Sequence, residues 1–122
     1  MSTGTPIGAR ERNRLRTRQR IVEAAVELHT TVGPARTTVM AIAERAGVQR
    51  HTVYAHFPDE AAILRACTAH WFAANPLPDH ERWAGIASFE GRVEAAIREV
   101  HAYWERTADD LAPIMADVGR VD

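Results

Sequence analysis

The feature that most constrains how this chain can fold is a glycine flanked by two short amphipathic stretches, between Thr37 and Phe57. The first stretch places small and branched apolar residues at the spacing of one helix face, namely Val39, Ile42, Ala43 and Ala46. Gly47 follows at once, and glycine readily adopts the left-handed backbone that a tight turn between two helices requires. A second short helix is then predicted from Gln49 to His56. The segment therefore indicates two helices packed closely across a turn.

The rest of the chain carries apolar stripes at helical spacing and no alternation typical of a strand. Further helices are predicted to begin at about Arg14, Asp59, Ser88 and Pro113. The first of them ends at the Gly33-Pro34 pair, where glycine and proline stop a helix. The predicted fold class is all-α. It comprises a flexible arm over residues 1–13, a three-helix head over 14–58, and a connecting helix with a partial helical domain over 59–122.

Charge divides the chain into a basic front and an acidic back. Residues 1–58 hold nine arginines against four glutamates, and residues 59–122 hold six arginines against twelve acids. The formal net charge of −1 conceals this difference. The positive charge of residues 1–58 favours a polyanion as partner at this end of the molecule. The simpler alternative is a solvated charged surface.

The second helix of the turn begins with the polar run Gln49-Arg50-His51-Thr52. In a helix-turn-helix, this first turn meets base edges in the major groove. Arg50 has the forked donors that suit a guanine edge, and Thr52 suits a thymine methyl or a phosphate. Tyr54 and His56 lie further along and can donate to phosphate oxygens. The alternative is an ordinary helical bundle, because a glycine between two short helices is common there.

Two motifs, Ile42-Ala43-Glu44-Arg45-Ala46-Gly47-Val48 and Tyr54-Ala55-His56-Phe57, resemble the DNA-binding domain of the TetR family of bacterial repressors. The resemblance extends from residue 14 to about residue 74 and weakens over 75–122. It implies a three-helix reading head followed by a helical sensor domain, whole or truncated, which binds an unidentified small-molecule effector. It also implies a ligand-responsive repressor that binds double-stranded operator DNA, with a homodimer formed through later helices.

The resemblance further implies roles for residues at matching positions. Thr38 would contact a phosphate, and an arginine-rich arm before the first helix, comprising Arg14, Arg16 and Arg18, would reach a minor groove or phosphates. The candidate DNA-binding residues are Arg16, Arg18, Thr38, Gln49, Arg50, His51, Thr52, Tyr54 and His56. Glu60 departs from the family, because many members have a phosphate-contacting lysine there. His51 also departs, since many members have glycine or proline, so the base preference does not transfer.

A second candidate site lies in the later helices. The stripe of Val93, Ile97, Val100 and Trp104 is typical of a core-facing helix, and in a sensor domain such a helix can also line a cavity. The candidate ligand-binding residues are Phe89, Val100, Tyr103, Trp104 and Met115. Plain core packing is the alternative for this stripe. Trp71 and Trp83 are predicted to pack the head against the rest of the chain.

No residue set typical of an enzyme or a cofactor site is visible. The chain has no Gly-rich phosphate loop, no nucleophile elbow and no carboxylate pair placed for acid–base work, so we expect neither an enzyme nor a bound cofactor. The single cysteine, Cys67, cannot form an internal disulfide, and the six histidines show no metal-ligand spacing. No run approaches the ~20 apolar residues of a membrane-spanning helix. A cytoplasmic protein without a membrane partner or metal is expected.

The length of 122 residues leaves the oligomeric state open. Proteins of the TetR family usually continue well beyond this length, and the helices that form their dimer would lie further along. The chain is therefore a fragment, a shortened member, or a protein that dimerises differently. An alternative function follows from the same observation, namely a truncated helical interaction module that pairs with a full-length relative and does not itself bind DNA.

Overall fold

The computed structural model describes residues 8–118, which contain six α-helices and no strand. The helices are α1 (Ala9–Thr31), α2 (Val39–Ala46), α3 (Arg50–His56), α4 (Glu60–Ala74), α5 (His80–Ala84) and α6 (Phe89–Ala116), with a 3-10 turn at Pro34–Arg36. The all-α prediction is confirmed for this part of the chain. None of the helices in residues 8–118 is both long and apolar enough to cross a membrane.

The head is held together by one apolar core between α1, α2, α3 and α4. Ile21 of α1 and Val53 of α3 lie at its centre, and both are 0 % exposed. The core also includes Ile42, Ala43, Phe57, Ile63 and Cys67. Each large apolar side chain buried in this way contributes roughly 1.5–3 kcal/mol. Because isolated helices of seven or eight residues are unstable in water, this packing holds α2 and α3 in shape.

Three local interactions fix the turn between α2 and α3. Thr38 caps α2, because its Oγ1 accepts a hydrogen bond from the Ala41 N–H at 3.0 Å. Gly47 has φ 73° and ψ 35°, which is the left-handed conformation predicted for it. From α1, the Arg20 guanidinium donates to the Ala46 carbonyl at 2.6 Å, which satisfies an end carbonyl of α2. The turn is therefore anchored to a third helix.

Helix α1 begins at Ala9 and not near Arg14, so residues 9–13 of the predicted flexible arm are helical. Arginine and glutamate are good helix formers, and Glu11 pairs with Arg14 one turn later at 2.6 Å. Arg14, Arg16 and Arg18 thus lie within a helix, and the prediction that they form an arm before it is wrong. Residues 1–7 of the predicted arm lie outside the described residues.

Helix α6 runs unbroken through Pro113, where the sequence predicts the start of a new helix. Proline removes a main-chain donor and commonly ends or bends a helix. Here tertiary hydrogen bonds hold α6 on both sides of the proline. Trp71 Nε1 donates to Asp110 Oδ2 at 2.9 Å, and the Ala35 N–H donates to Asp117 Oδ2 at 3.0 Å. These bonds join α6 to α4 and to the 3-10 turn before α2, so the helix continues.

The segment after α4 contains a short helix, α5, which is not among the helices predicted from the sequence. Asp79 caps it by accepting a hydrogen bond from the Glu81 N–H at 3.0 Å. Trp83 Nε1 donates to Glu99 Oε2 at 2.8 Å, so Trp83 links α5 to α6 rather than the head to α6. Trp71 joins α4 to α6, so its hydrogen bond also lies within residues 59–122.

Candidate nucleic-acid interface

Helix α3 turns one side to the core and the other to solvent. Val53 and Phe57 lie one turn apart and are buried in the head. The outer side carries exposed residues, namely Arg50, His51, Tyr54 and Ala55. Tyr54 leaves 46 % of its surface to solvent. The first turn of α3 therefore points away from the core, as a helix must if it is to enter a groove of duplex DNA.

The outer side of α3 is extended or bordered by three further residues, namely Gln49, Thr52 and Ala55. Gln49 directly precedes α3 and is exposed. Thr52 is half-buried on the flank, so it offers the least surface of the four polar residues predicted to begin the helix. Ala55 was not among the predicted contacts, although helical spacing from His51 places it on the same side. Its small side chain lets the helix approach a surface closely.

In the described part of the chain, Arg20 and Arg45, near α3, bind other groups of the protein, whereas Arg50 does not. Arg20 caps the end of α2, and Arg45 forms a two-point ion pair with Glu27 of α1. By contrast, no side chain in residues 8–118 pairs with the guanidinium of Arg50. An exposed guanidinium without an internal partner presents all of its forked donors to another molecule.

The end of α3 and the first half of α1 converge at His56. Burial lowers the pKa of His56 below its ordinary value of 6.5, and the positive charges of Arg14 and Arg18 lower it further. Arg18 also lies over the Phe57 ring, with 4.9 Å between its guanidinium carbon and the ring centroid. We call Arg14, Arg18 and His56 the basic surface. A neutral His56 can still donate a hydrogen bond to a phosphate oxygen there.

The two remaining predicted contacts lie outside this basic surface. Thr38 is exposed, and its Oγ1 already accepts the capping bond of α2, so its hydroxyl hydrogen can be donated to a phosphate. Arg16 lies two residues from Arg14 and two from Arg18 along α1, so it faces a different side of the helix. The structure therefore does not bring Arg16 together with Arg14 and Arg18.

The start of α4 is acidic. Asp59 caps the helix by accepting a hydrogen bond from the Ala62 N–H at 2.8 Å, as its sequence position predicts. Glu60 follows and is exposed. A carboxylate at this position repels a phosphate, so it cannot replace the contact that a lysine would make.

The five residues predicted to bind a ligand all lie on α6. Tyr103 is buried, and its hydroxyl donates to the Asn75 carbonyl at 3.0 Å. The others are exposed on α6, namely Phe89, Val100, Trp104 and Met115. A cavity of about 250 Å³ lies between α1, α4 and α6, and none of the five lines it. A pocket built from these five residues stays a prediction.

Two short helices across a left-handed glycine, with the second helix exposed beside a basic surface, define the molecule as a helix-turn-helix protein. Residues 21–67 match the family described as bacterial regulatory proteins, tetR family. This match covers α2, α3 and the parts of α1 and α4 that pack on them. Over these residues the chain is similar to this family.

Several curated bacterial regulators are similar to part of the chain. The HTH-type transcriptional regulator SrpR of Pseudomonas putida is 38% identical over 90 residues, which are 70% of this chain and 40% of SrpR. TtgW, an uncharacterized HTH-type transcriptional regulator of Pseudomonas putida, is 38% identical over 90 residues, which are 70% of this chain and 64% of TtgW. TtgR, an HTH-type transcriptional regulator of the same species, is 46% identical over 50 residues, 41% of this chain and 24% of TtgR.

The chain therefore spans 40% and 64% of the lengths of the first two relatives. No solved structure shows a significant match to it.

Proposed function

We propose that this chain is a sequence-specific DNA-binding transcriptional regulator, acting as a ligand-responsive repressor in the cytoplasm. The observation that carries the proposal is the outer side of α3, where Arg50, His51 and Tyr54 are exposed while Val53 and Phe57 are buried. A helix held in this way by two core residues can enter the major groove without disturbing the core. The match of residues 21–67 to the tetR family and the names of the relatives support the same function.

Each candidate residue has a distinct role in this proposal. Arg50 binds a guanine edge through two hydrogen bonds, and Gln49, His51 and Thr52 contact neighbouring bases. The phosphate contacts come from Thr38, Tyr54, Arg16 and the basic surface. Phosphate contacts position the protein on the duplex but carry little sequence information, so Arg50 is the residue on which base preference should depend most strongly.

The proposal is tested by binding to DNA whose preferred sequence is first enriched from a random duplex pool. The Kd for the enriched duplex and for a scrambled duplex is then measured by fluorescence anisotropy at several salt concentrations. Phosphate contacts predict a Kd that rises steeply with salt. Arg50→Ala should reduce the preference for the enriched duplex by roughly 1–3 kcal/mol. Arg98→Ala, at an exposed position of α6 far along the chain, is the matched control.

A homodimer is part of the proposed function. Exposed apolar residues occupy one side of α6, and we call Phe89, Val93, Ile97, Trp104 and Met115 the α6 stripe. Surface stripes of this kind commonly mark contacts with other chains or segments. Two copies would bind a palindromic site if their α3 helices lay about one DNA turn apart, roughly 34–36 Å. The mass of the protein in solution, free and bound to the enriched duplex, tests this arrangement.

The α6 stripe also supports a second candidate function, in which the chain pairs with a full-length relative and does not bind DNA itself. The salt series separates the two functions. A chain that binds no duplex at low salt, yet associates with such a relative, would support the second function and exclude the first.

A further inference from the structure

The cavity between α1, α4 and α6 is distinct from the DNA-facing side of the head and has an apolar wall. Val26 comes from α1, Leu64, Trp71 and Phe72 from α4, and Leu111 and Ile114 from α6. The cavity measures about 250 Å³. Its wall is thus built from three helices that are distant in sequence, and it lies where the head meets the rest of the chain.

The polar groups in this wall are uncharged. Burial lowers the pKa of His29 below its ordinary value, so its imidazole is neutral at pH 7. Burial raises the pKa of the Cys67 thiol to about 12, so it stays protonated. Thr30 and Thr68 donate their hydroxyl hydrogens to carbonyls of their own helices, each at 2.8 Å. No wall residue can neutralise a charged ligand, so a charged ligand would lose its hydration without compensation.

The volume limits the size of the ligand. An apolar cavity of about 150 Å³ accommodates benzene, and sites for drug-sized molecules begin at roughly 300 Å³. A cavity between these two values suits about two fused rings. Aromatic groups are already in the wall, because Trp71 and Phe72 pack edge to face with their centroids 5.2 Å apart. Aromatic ligands are favoured at such ring edges.

We propose that the cavity between α1, α4 and α6 binds a small neutral aromatic molecule of about two fused rings. The imidazole of His29 is the polar group that can exchange a hydrogen bond with such a ligand. This proposal rests on the proposed function in one respect, because it assigns a chemical class to the effector of the regulator. Binding at the cavity itself does not depend on DNA.

The location of the cavity gives the ligand a route to the DNA-facing side. Three residues separate the end of α3 from the start of α4, and Asp117 ties α6 to the turn before α2. A ligand between α1, α4 and α6 therefore contacts both helices that are joined to the helix-turn-helix. If the ligand and DNA favour different arrangements of these helices, each weakens the binding of the other by the same factor.

The test uses 2-naphthol, which is neutral at pH 7, and 2-naphthoate, which is an anion of similar shape. Binding to the full chain without DNA is measured by titration calorimetry and by the NMR signal of the Trp71 indole N–H. We expect 2-naphthol to bind, and 2-naphthoate to bind at least about tenfold more weakly, because of the unpaired charge. Equal affinities for the two probes, or no binding of 2-naphthol, would overturn the proposal.

A cavity-filling variant locates the binding. Thr68→Phe places a ring in the cavity from the exposed side of α4 and should weaken 2-naphthol at least about tenfold. Ala69→Phe, at the next exposed position but outside the cavity wall, should bind like the wild type. If Thr68→Phe loses helix content by circular dichroism, Ile114→Phe fills the cavity from α6 instead. A filled but folded variant that binds normally would place the ligand elsewhere.

The effect of 2-naphthol on DNA binding is measured separately. A rise in the Kd for the enriched duplex with 2-naphthol, absent in Thr68→Phe, supports the effector role. Binding of 2-naphthol by a chain that binds no duplex would retain the cavity site and remove the proposed DNA-binding function. If the chain binds the duplex but calorimetry shows no binding of 2-naphthol, the DNA-binding function is retained and the cavity site is excluded.

Discussion

The carboxylate of Asp117, at the end of α6, accepts a hydrogen bond from the main-chain N–H of Ala35 at 3.0 Å, and so joins residues 82 positions apart. Ala35 lies in the 3-10 turn that leads into α2. Asp117 is only 5 % exposed, and hydrogen bonds to a carboxylate are stronger than those between neutral groups. This bond therefore helps to hold α6 against the head.

Asp117→Ala should lower the free energy of unfolding by about 1–3 kcal/mol, because the Ala35 N–H loses a partly buried acceptor. Urea denaturation followed by circular dichroism measures the change. Asp109→Ala removes an exposed carboxylate from the same helix and should alter stability by no more than about 0.5 kcal/mol. Equal losses in the two variants would show that the bond to Ala35 contributes nothing specific.

Gly33→Ala should destabilise the chain by more than about 1 kcal/mol. Gly33 has φ 90°, which L-residues rarely adopt, and an added Cβ would collide with the carboxylate of Asp117. Gly85→Ala is the control, because φ is −77° there and the new Cβ would lie 3.6 Å from the Arg82 carbonyl. That variant should be neutral or gain about 0.4–1 kcal/mol in the same denaturation experiment. A stable Gly33→Ala chain contradicts the close approach of Asp117.

The stability of the chain should decrease as the pH falls below about 6.5, in part through His29. Burial lowers the pKa of His29 in the folded chain, so the unfolded chain takes up this proton at a higher pH. Between the two pKa values the unfolded state binds more protons, and the free energy of unfolding falls by at most about 1.4 kcal/mol per pH unit for one group. Above that window the effect is absent.

Urea midpoints from pH 7.5 to pH 5 measure this dependence. His29→Leu should reduce the slope, whereas His80→Leu, at an exposed position, should keep it. The slope of His29→Leu should not vanish, because His56 also has a lowered pKa in the folded chain and acts in the same direction. Identical slopes for His29→Leu and the wild type would rule out His29 as a source.

DNA affinity should increase as the pH falls from 7.5 to 6, through His56. In the free chain the pKa of His56 is lowered by burial and by nearby positive charges. A phosphate placed beside His56 would favour the imidazolium and raise the pKa in the complex. Binding then takes up a proton, so the Kd for the enriched duplex decreases by at most about tenfold per pH unit for this group. Fluorescence anisotropy at the two pH values measures it.

His56→Gln retains a hydrogen-bond donor but cannot titrate, so it should remove much of the pH dependence. His51→Gln is measured alongside, because His51 is a second histidine on the outer side of α3. A Kd for the wild type that is the same at both pH values would exclude a phosphate beside His56.

The helices and the turn of the head could be predicted from sequence because their signals are local. The stripe of α2, the glycine at position 47 and the caps at Thr38, Asp59 and Ser88 each depend on residues within one or two helical turns. The outward direction of Arg50 follows in the same way, since the burial of Val53 fixes the rotation of α3.

The features that escaped prediction depend on contacts between distant residues. Nothing near Pro113 in the sequence reveals that Asp110 and Asp117 bond to α4 and to the turn before α2. The cavity has its wall on three separate helices, so its residues show no common spacing.

The division of α3 between an inner side and an outer side has a consequence for how such a protein can change over time. Val53 and Phe57 hold the helix in place, and neither needs to contact bases. Under the proposed function, exchanges at Arg50, His51 or Tyr54 would therefore redirect the chain to a new operator with little effect on folding. Laboratory libraries restricted to these outer positions should accordingly yield many folded variants with altered target choice.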